Sequence, residues 1–278
     1  MCVVVQAIPV AAQAPAAQPS DEWLTAEGVE RLFAAMPAPV DFAVTSYALY
    51  SQKPDLKDAA ALRDAADDAF GQERPPVRDL PPAAQSPDLI HCLAMLGAAQ
   101  EALIAAKRPV TIADARGAER RLAARPDRRV IEALVGLMAE PVLGEEQALT
   151  AQRMQGALEL VRGGVSQNLL KASPAEVARQ IDLGIVRSRQ VMADHADPSL
   201  NPGYARGYPQ ALLIHGLLTM PPRDVAVLSH WYSSTSGKAA TAALVRAFRA
   251  ANDRAGAAML TRFAAYVRAT HKLDTEDS

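Results

Sequence analysis

The sequence predicts an all-α protein, and three observations support that fold class. Half of its 278 residues are hydrophobic, but only 5% are aromatic, and alanine is abundant. Alanine is the best helix former, whereas strands favour aromatic and β-branched residues. Apolar residues also recur at helical spacing along most of the chain, without the alternation typical of strands. We expect a helical bundle with an N-terminal helical segment and two similar helical modules.

The amino terminus resembles the end of an export leader. Residues 1–20 contain no Asp, Glu, Lys or Arg, and an apolar run ends at Ala12-Gln13-Ala14, a small-x-small pattern. We predict a truncated signal peptide over residues 1–17, truncated because the usual basic start is missing. The protein would then be periplasmic or secreted. The alternative is a disordered tail rich in alanine and proline.

The N-terminal helical segment is predicted over residues 20–73, with its last helix at about residues 55–70. Residues 74–87 hold five prolines and are predicted to form a linker, because proline cannot donate a backbone hydrogen bond.

The first helical module is predicted over residues 88–164. Ser86-Pro87 has the pattern of a helix N-cap followed by proline in the first turn, and the helix should run to about Lys107. Cys92 lies within an apolar run, so we predict a buried and unreactive thiol.

The second helical module is predicted over residues 165–272. Ser173 and Glu176 have the spacing of a capping box, which predicts a helix to about His195. We expect a loop over residues 203–209, a short helix up to Tyr232, and a long helix after Gly237. One apolar stripe of that last helix comprises Leu244, Phe248, Ala251, Ala255, Met259, Phe263 and Tyr266.

The two Ser-Pro helix starts suggest an internal repeat. A shift of 87 residues places Ser86-Pro87 on Ser173-Pro174, and a shift of 93 later places Gly144 on Gly237. Chance alignment of alanine-rich helices is the alternative. A true duplication would make residues 86–164 and 173–256 similar modules.

The most distinctive motif is Trp-Tyr-Ser-Ser-Thr-Ser-Gly-Lys at residues 231–238. It resembles the core of an exported bacterial family classed as a domain of unknown function, number two thousand and fifty-nine. In that family a helix ending in Phe-Tyr precedes a Ser-Pro-x-Gly-Lys-like turn and another helix. The matching positions are Trp231 in the Phe place, Tyr232, Ser234, Gly237 and Lys238, with Thr235 replacing the proline. The resemblance covers about residues 165–265 and implies an exported all-helical protein, without supplying catalytic residues.

The residues of this motif support two interpretations. In the structural one, Trp231 and Tyr232 end a helix and anchor a corner, and Gly237 permits a tight reversal. In the functional one, a pocket or peptide-docking groove is lined by His230, Trp231, Tyr232 and Lys238, since Trp and Tyr are favoured at binding hot spots.

The net charge of -2 conceals an uneven distribution. Residues 21–73 carry 11 acidic and 4 basic residues, whereas residues 238–272 carry 7 basic residues and one acidic residue. The predicted basic face of the last helix comprises Arg246, Arg249, Arg254, Arg262 and Arg268. We expect this face to meet the acidic front of the chain, within one molecule or across a dimer. Contact with an anionic membrane surface or an acidic partner is the alternative.

No recognisable catalytic, cofactor or metal motif is present in the sequence. The near-neutral net charge does not favour binding to nucleic acid. We therefore predict a non-enzymatic exported envelope protein that acts through protein or envelope contacts, including self-association. The alternative is a carrier of a small molecule or lipid, with a cavity between helices near Trp231. A hydrolase is a third hypothesis, and it would require titratable groups that converge in one cleft.

Overall fold

The computed structural model describes residues 56–73, 86–105, 112–161, 171–195 and 203–270. Within these ranges the protein has nine α-helices and no strand, which confirms the predicted all-α class. The helices are α1 (Leu56–Gln72), α2 (Pro87–Ala105), α3 (Ile112–Ala123), α4 (Arg128–Val135), α5 (Glu140–Glu159), α6 (Pro174–His195), α7 (Gly203–Thr219), α8 (Pro222–Ser233) and α9 (Thr235–Thr270). The predicted signal peptide, the first part of the N-terminal segment and residues 74–85 of the linker lie outside the described residues.

Several helix starts lie where capping residues predict them. Helix α2 begins at Pro87, and the Ile90 amide donates to the Ser86 carbonyl at 3.2 Å. Helix α6 begins at Pro174, and the Glu176 amide donates to Ser173 Oγ at 3.2 Å. The Ser173 hydroxyl satisfies a backbone donor that lacks a partner within α6, so this cap is encoded locally.

Two predicted boundaries are wrong. Residues 203–209, predicted to be a loop, form the first turns of α7, and the last helix begins at Thr235 instead of after Gly237. In α7, Leu213 and Leu217 are fully buried, and the helix packs against α2 and α5. This packing stabilises the helix, although Pro209, its seventh residue, cannot donate a backbone hydrogen bond.

The long helix α9 organises one side of the bundle. Its 36 residues extend over roughly 54 Å at the usual helical rise. It packs against α1, α5, α6 and α8. The predicted apolar stripe is confirmed, since six of its residues are buried and Tyr266 packs against the core.

Helices from both predicted modules contribute to one hydrophobic core. Helix α2 packs against α7 and α8, α4 packs against α8, and α5 packs against α6, α7 and α9. The described helices also recur in order, because α2 to α5 start at residues 87, 112, 128 and 140 and α6 to α9 at residues 174, 203, 222 and 235. The two groups of four helices pack differently. Helix α6 lies along α9 of its own group, whereas its counterpart α2 packs against α7 and α8 of the second group. The internal repeat stays a prediction.

Candidate functional site

The α8–α9 corner, residues 230–238, contains the six residues of the predicted corner site. Helix α8 ends at Ser233, and Ser234 has an extended backbone with φ -67° and ψ 159°. The Ser234 hydroxyl donates to the Trp231 carbonyl at 2.6 Å and accepts the Gly237 amide at 3.0 Å. One side chain therefore satisfies a carbonyl at the end of α8 and an amide at the start of α9.

Gly237 is needed at this corner because there is no space for a side chain. It lies in the first turn of α9, so it does not form the reversal between the helices as predicted. A Cβ at this position would meet the Trp231 carbonyl oxygen far inside contact distance and the carbonyl carbon at 2.8 Å. Glycine lets the two backbones approach closely, and any other side chain would force them apart.

The corner separates its aromatic residues from its charged ones. Trp231 is 8% exposed and Tyr232 is fully buried, as the structural interpretation predicts. His230 and Lys238 are exposed. The two aromatic rings therefore anchor the corner in the core, while the basic groups face solvent.

Three buried polar atoms near the corner have no hydrogen-bond partner among the described residues. They are Trp231 Nε1, the Tyr232 hydroxyl and Thr241 Oγ1. Buried polar side-chain atoms in native proteins usually have a partner, which is a protein group or an ordered water. Their occurrence beside the most distinctive motif of the sequence makes the corner the first candidate site.

The predicted basic face of α9 is largely paired with acidic and polar groups of the same chain. Arg249 donates to Glu146 at 2.9 Å and Arg254 to Glu73 at 3.0 Å. Arg262 pairs with Asp68, and Arg268 donates to the Ala172 carbonyl at 3.0 Å. Glu73 and Asp68 belong to the acidic front of the chain, so the predicted meeting of the two charged regions occurs within one molecule at these pairs. Arg246 is exposed.

A buried polar network joins α5 to α9, and the sequence analysis missed it. Its buried members are Glu146, Thr150, Arg153 and Asn252. The Thr150 hydroxyl donates to Asn252 Oδ1 at 2.8 Å, and the Asn252 amide donates to Glu146 Oε2 at 3.2 Å. These bonds cross the interface between two helices that are otherwise packed through apolar residues, and they specify one relative position of the helices.

Arg153 connects three helices within this network. Its guanidinium donates to Asp182 at 2.8 Å and to Asp253 at 2.7 Å, so it links α5 to α6 and α9. Burial lowers the pKa of Arg153, but the bonds to the two carboxylates outweigh burial and the pKa is raised. Gly256 provides the space, because a Cβ there would lie 2.8–2.9 Å from Arg153 side-chain atoms.

A weak sequence signal for the network does exist. Glu146, Thr150 and Arg153 are spaced by four and three residues, so they lie on one face of α5. Their partners in α9 are about 100 residues away. Helical spacing can therefore indicate a polar stripe, but it cannot tell a buried stripe from a solvated one.

Two further polar contacts join distant helices. Gln100 Nε2 of α2 donates to both carboxylate oxygens of Glu140 at 2.9 and 2.8 Å, and both residues are buried. Arg125 forms a double hydrogen bond with Asp127 and donates to the Met220 carbonyl after α7 at 2.9 Å. The Arg125 hydrogen bonds hold the pKa of Asp127 below its usual value. Both contacts help to position helices.

The remaining chemical candidates have ordinary structural roles. Cys92 is buried, as predicted, and burial raises the pKa of its thiol. Within the described ranges, no group of three or more His, Cys, Asp or Glu side chains is arranged to hold a metal ion. The described helices include none with both the length and the apolar composition needed to cross a membrane.

Comparison with family models, with curated proteins and with solved structures found no match to this chain. The resemblance to the exported family therefore stays a prediction based on residues 231–238.

Proposed function

We propose that the protein is an exported bacterial helical protein that acts without catalysis, through contacts with other proteins of the cell envelope. The observation that carries this proposal is the pairing of its charged groups. Arg153 and Arg249 each bind a carboxylate from another helix, and Arg254 binds Glu73, the residue that follows α1. A catalytic site would require several titratable groups to converge on one cleft, and in the described part of the chain these groups instead join helices.

The exposed side of the α8–α9 corner is the surface that we assign to the contact. His230 and Lys238 are exposed there, Arg246 is exposed about two turns further along α9, and residues 225–252 contain no Asp or Glu. A protein partner with an acidic surface fits this distribution better than a lipid surface. Three arginines of α9 are paired with carboxylates of the same chain, which lowers the net positive charge that a lipid surface would meet.

Cell fractionation tests the export part of the proposal. The full-length protein is expected outside the cytoplasm in a shortened form, because the signal peptidase would remove the leader. A variant without residues 1–17 should stay in the cytoplasm. Cytoplasmic retention of the full-length protein would contradict the proposal.

Chemical cross-linking in the exported fraction tests the contact part. The double variant Lys238→Ala and Arg246→Ala should lose a cross-linked species that the natural sequence forms. The matched control is Arg179→Ala, which removes an exposed arginine of α6 that pairs with Glu176. Equal cross-linking in both variants would exclude this surface. Salt-sensitive binding to anionic vesicles, lost in the same double variant, would favour the membrane alternative.

A further inference from the structure

Helix α3 is attached to the bundle mainly through α7. Among the described helices, α7 is the one against which α3 packs most extensively. Ala118 of α3 is buried, and Leu122 packs against the core. A polar contact joins the same two helices, because a guanidinium nitrogen of Arg121 lies 3.1 Å from Nδ1 of His215 in α7. The attachment of α3 therefore involves the state of this imidazole.

The contact with Arg121 fixes the protonation state of His215. A guanidinium has donors and no acceptor, and it stays charged over the whole pH range in which proteins fold. Nδ1 of His215 must therefore accept this hydrogen bond, which assigns the proton of the neutral ring to Nε2. Nε2 is itself shielded from solvent. The folded protein thus holds His215 as the neutral Nε2–H tautomer.

Protonation of His215 would abolish this hydrogen bond. An imidazolium donates from both nitrogens, so Nδ1 would present a proton to a guanidinium that can only donate. Two positive groups would then face each other with 3.1 Å between their nitrogens, and the shielded side of the ring would gain a charge without water around it. Histidine ordinarily titrates at about pH 6.5, so this change belongs to mild acid.

Other charged groups lie on the elements packed against α7. Within α7, residues 210–219 hold no titratable side chain besides His215. Arg125, in the link between α3 and α4, donates to the Met220 carbonyl at 2.9 Å and is paired with Asp127. Helices α2 and α4 bring six titratable side chains that are exposed and screened by solvent: Asp88, His91, Glu101, Arg128, Arg129 and Glu132.

Helix α5 brings a carboxylate close to α7. Glu140 accepts hydrogen bonds from Gln100, and Cγ of Gln100 would lie 3.4 Å from a Cβ at Gly216, the residue after His215. A carboxylate favours an imidazolium, whereas Arg121 opposes it. Glu145 is also on α5, while Glu146 and Arg153 bond to α6 and α9. The effect of Arg121 must therefore be measured as a difference between variants.

We infer that protonation of His215 in mild acid breaks its hydrogen bond with Arg121 and releases α3 from α7. The release is local, because Arg125 keeps the link between α3 and α4 attached to the end of α7. Hydrogen bonds from Arg125 hold the pKa of Asp127 below its usual value, so this pair persists in mild acid. The pH response goes beyond the contact function and does not depend on it, since the contact surface lies at the α8–α9 corner.

Nuclear magnetic resonance of the imidazole nitrogens tests the protonation state. In the full chain labelled with ¹⁵N-histidine, His215→Asn identifies the signals of His215 among the five histidines. At pH 7.5 we expect Nδ1 to be unprotonated and Nε2 to carry the proton. Arg121→Gln should raise the titration midpoint of His215 by about half a pH unit, because a neutral amide tolerates the imidazolium. The matched control is Arg120→Gln, which removes the adjacent exposed arginine and should raise the midpoint less.

Hydrogen exchange, corrected for the intrinsic effect of pH, tests the release of α3. Between pH 7.5 and pH 5, the amides of α3 should lose protection by about fivefold, whereas those of α9 should stay protected. In His215→Asn the protection of α3 should change little over the same range. Asparagine keeps an acceptor in the place of Nδ1 and cannot be protonated. If this variant fails to fold, His215→Gln replaces it.

Three outcomes would overturn the inference. The first is a proton on Nδ1 of His215 at pH 7.5. The second is an equal midpoint in the parent and in Arg121→Gln, or an equal rise in Arg121→Gln and Arg120→Gln. The third is an equal loss of α3 protection in mild acid with and without a histidine at position 215. Export and cross-linking would be unaffected by these outcomes, so failure of the pH response is distinguishable from failure of the contact function.

Discussion

At Gly237 the methyl group of an alanine has no room, because backbone atoms of Trp231 occupy its place. Backbone cannot rotate away as a side chain can, so Gly237→Ala should destabilise the protein by about 2–4 kcal/mol. Gly184→Ala is the matched control, since nothing lies within 4 Å of a Cβ there. It should stabilise α6 by about 1 kcal/mol through helix propensity. Urea unfolding measures both effects, and equal changes would contradict the packing of the corner.

Cys92 provides a second test at the scale of one residue. Its thiol is buried, and burial, followed by the charge of Asp224, raises its pKa. In a Cys2→Ser chain, Cys92 should react with a disulfide reagent about a hundredfold more slowly in the native protein than in denaturant. A cysteine at exposed position 94 (Ala94→Cys with Cys92→Ala) should react fast in both states. Rapid native reaction of Cys92 would contradict its burial.

The stability contributed by the first turn of helix α6 depends on pH. The Glu176 carboxylate accepts hydrogen bonds from Arg179 and Gln180, and these lower its pKa to about 2. A lowered pKa in the folded state contributes stability above the unfolded value of 4.5, and this contribution disappears as the pH falls toward 2. Glu176→Gln should therefore be slightly less stable than the parent at pH 7 and equally stable near pH 2.

Thermal unfolding measured across this pH range tests the effect of Glu176. Arg179→Ala should raise the titration midpoint of Glu176 toward its ordinary value. Adding Arg179→Ala to Glu176→Gln should change the pH dependence no further, because the pair is already broken. A constant stability difference from pH 7 to pH 2 would contradict the assignment.

The start of α9 depends on one hydroxyl. Ser234→Ala removes the bond to the Gly237 amide and the bond to the Trp231 carbonyl. We expect a loss of about 1 kcal/mol, the usual cost of removing an N-cap. Ser236→Ala, in the exposed first turn of the same helix, should change stability by less than about 0.5 kcal/mol. Equal losses in urea unfolding would show that Ser234 is not the cap.

At the scale of the whole molecule, the ion pairs of Arg153 should contribute more than those on the surface. Arg153 is buried and donates to Asp182 of α6. A double-mutant cycle with Arg153→Met and Asp182→Asn should give a coupling of about 1–3 kcal/mol. The exposed pair Arg128 and Glu132 should give less than about 0.5 kcal/mol. Equal couplings would mean that the network adds no stability beyond surface pairing.

Sequence analysis could predict most of what is local in this fold. The starts of α2 and α6 follow from Ser86-Pro87 and Ser173-Pro174, because caps and proline act within a few residues. The apolar stripe of α9 follows from helical spacing for the same reason. The first turns of α7 escaped prediction, since Leu213 and Leu217 stabilise that helix only once α2 and α5 are packed against it.

The candidate corner was predictable in composition but not in geometry. The Trp231-Tyr232 pair and Gly237 mark it in the sequence, and their burial follows from their apolar character. The need for glycine comes from the approach of two backbones, which only the packed structure shows. Likewise, only the packed structure shows that three polar atoms of the corner region are buried without a hydrogen-bond partner among the described residues.

The sequence by itself determined the helical class, the main caps, the long apolar stripe and the uneven charge. These are properties of neighbouring residues, and they depend on backbone geometry over one or two turns. Only the tertiary structure decided that Glu146, Thr150 and Arg153 are buried against Asn252 and Asp253. Their partners lie about 100 residues away, and the same polar pattern would suit a solvated helix face until α9 packs against it.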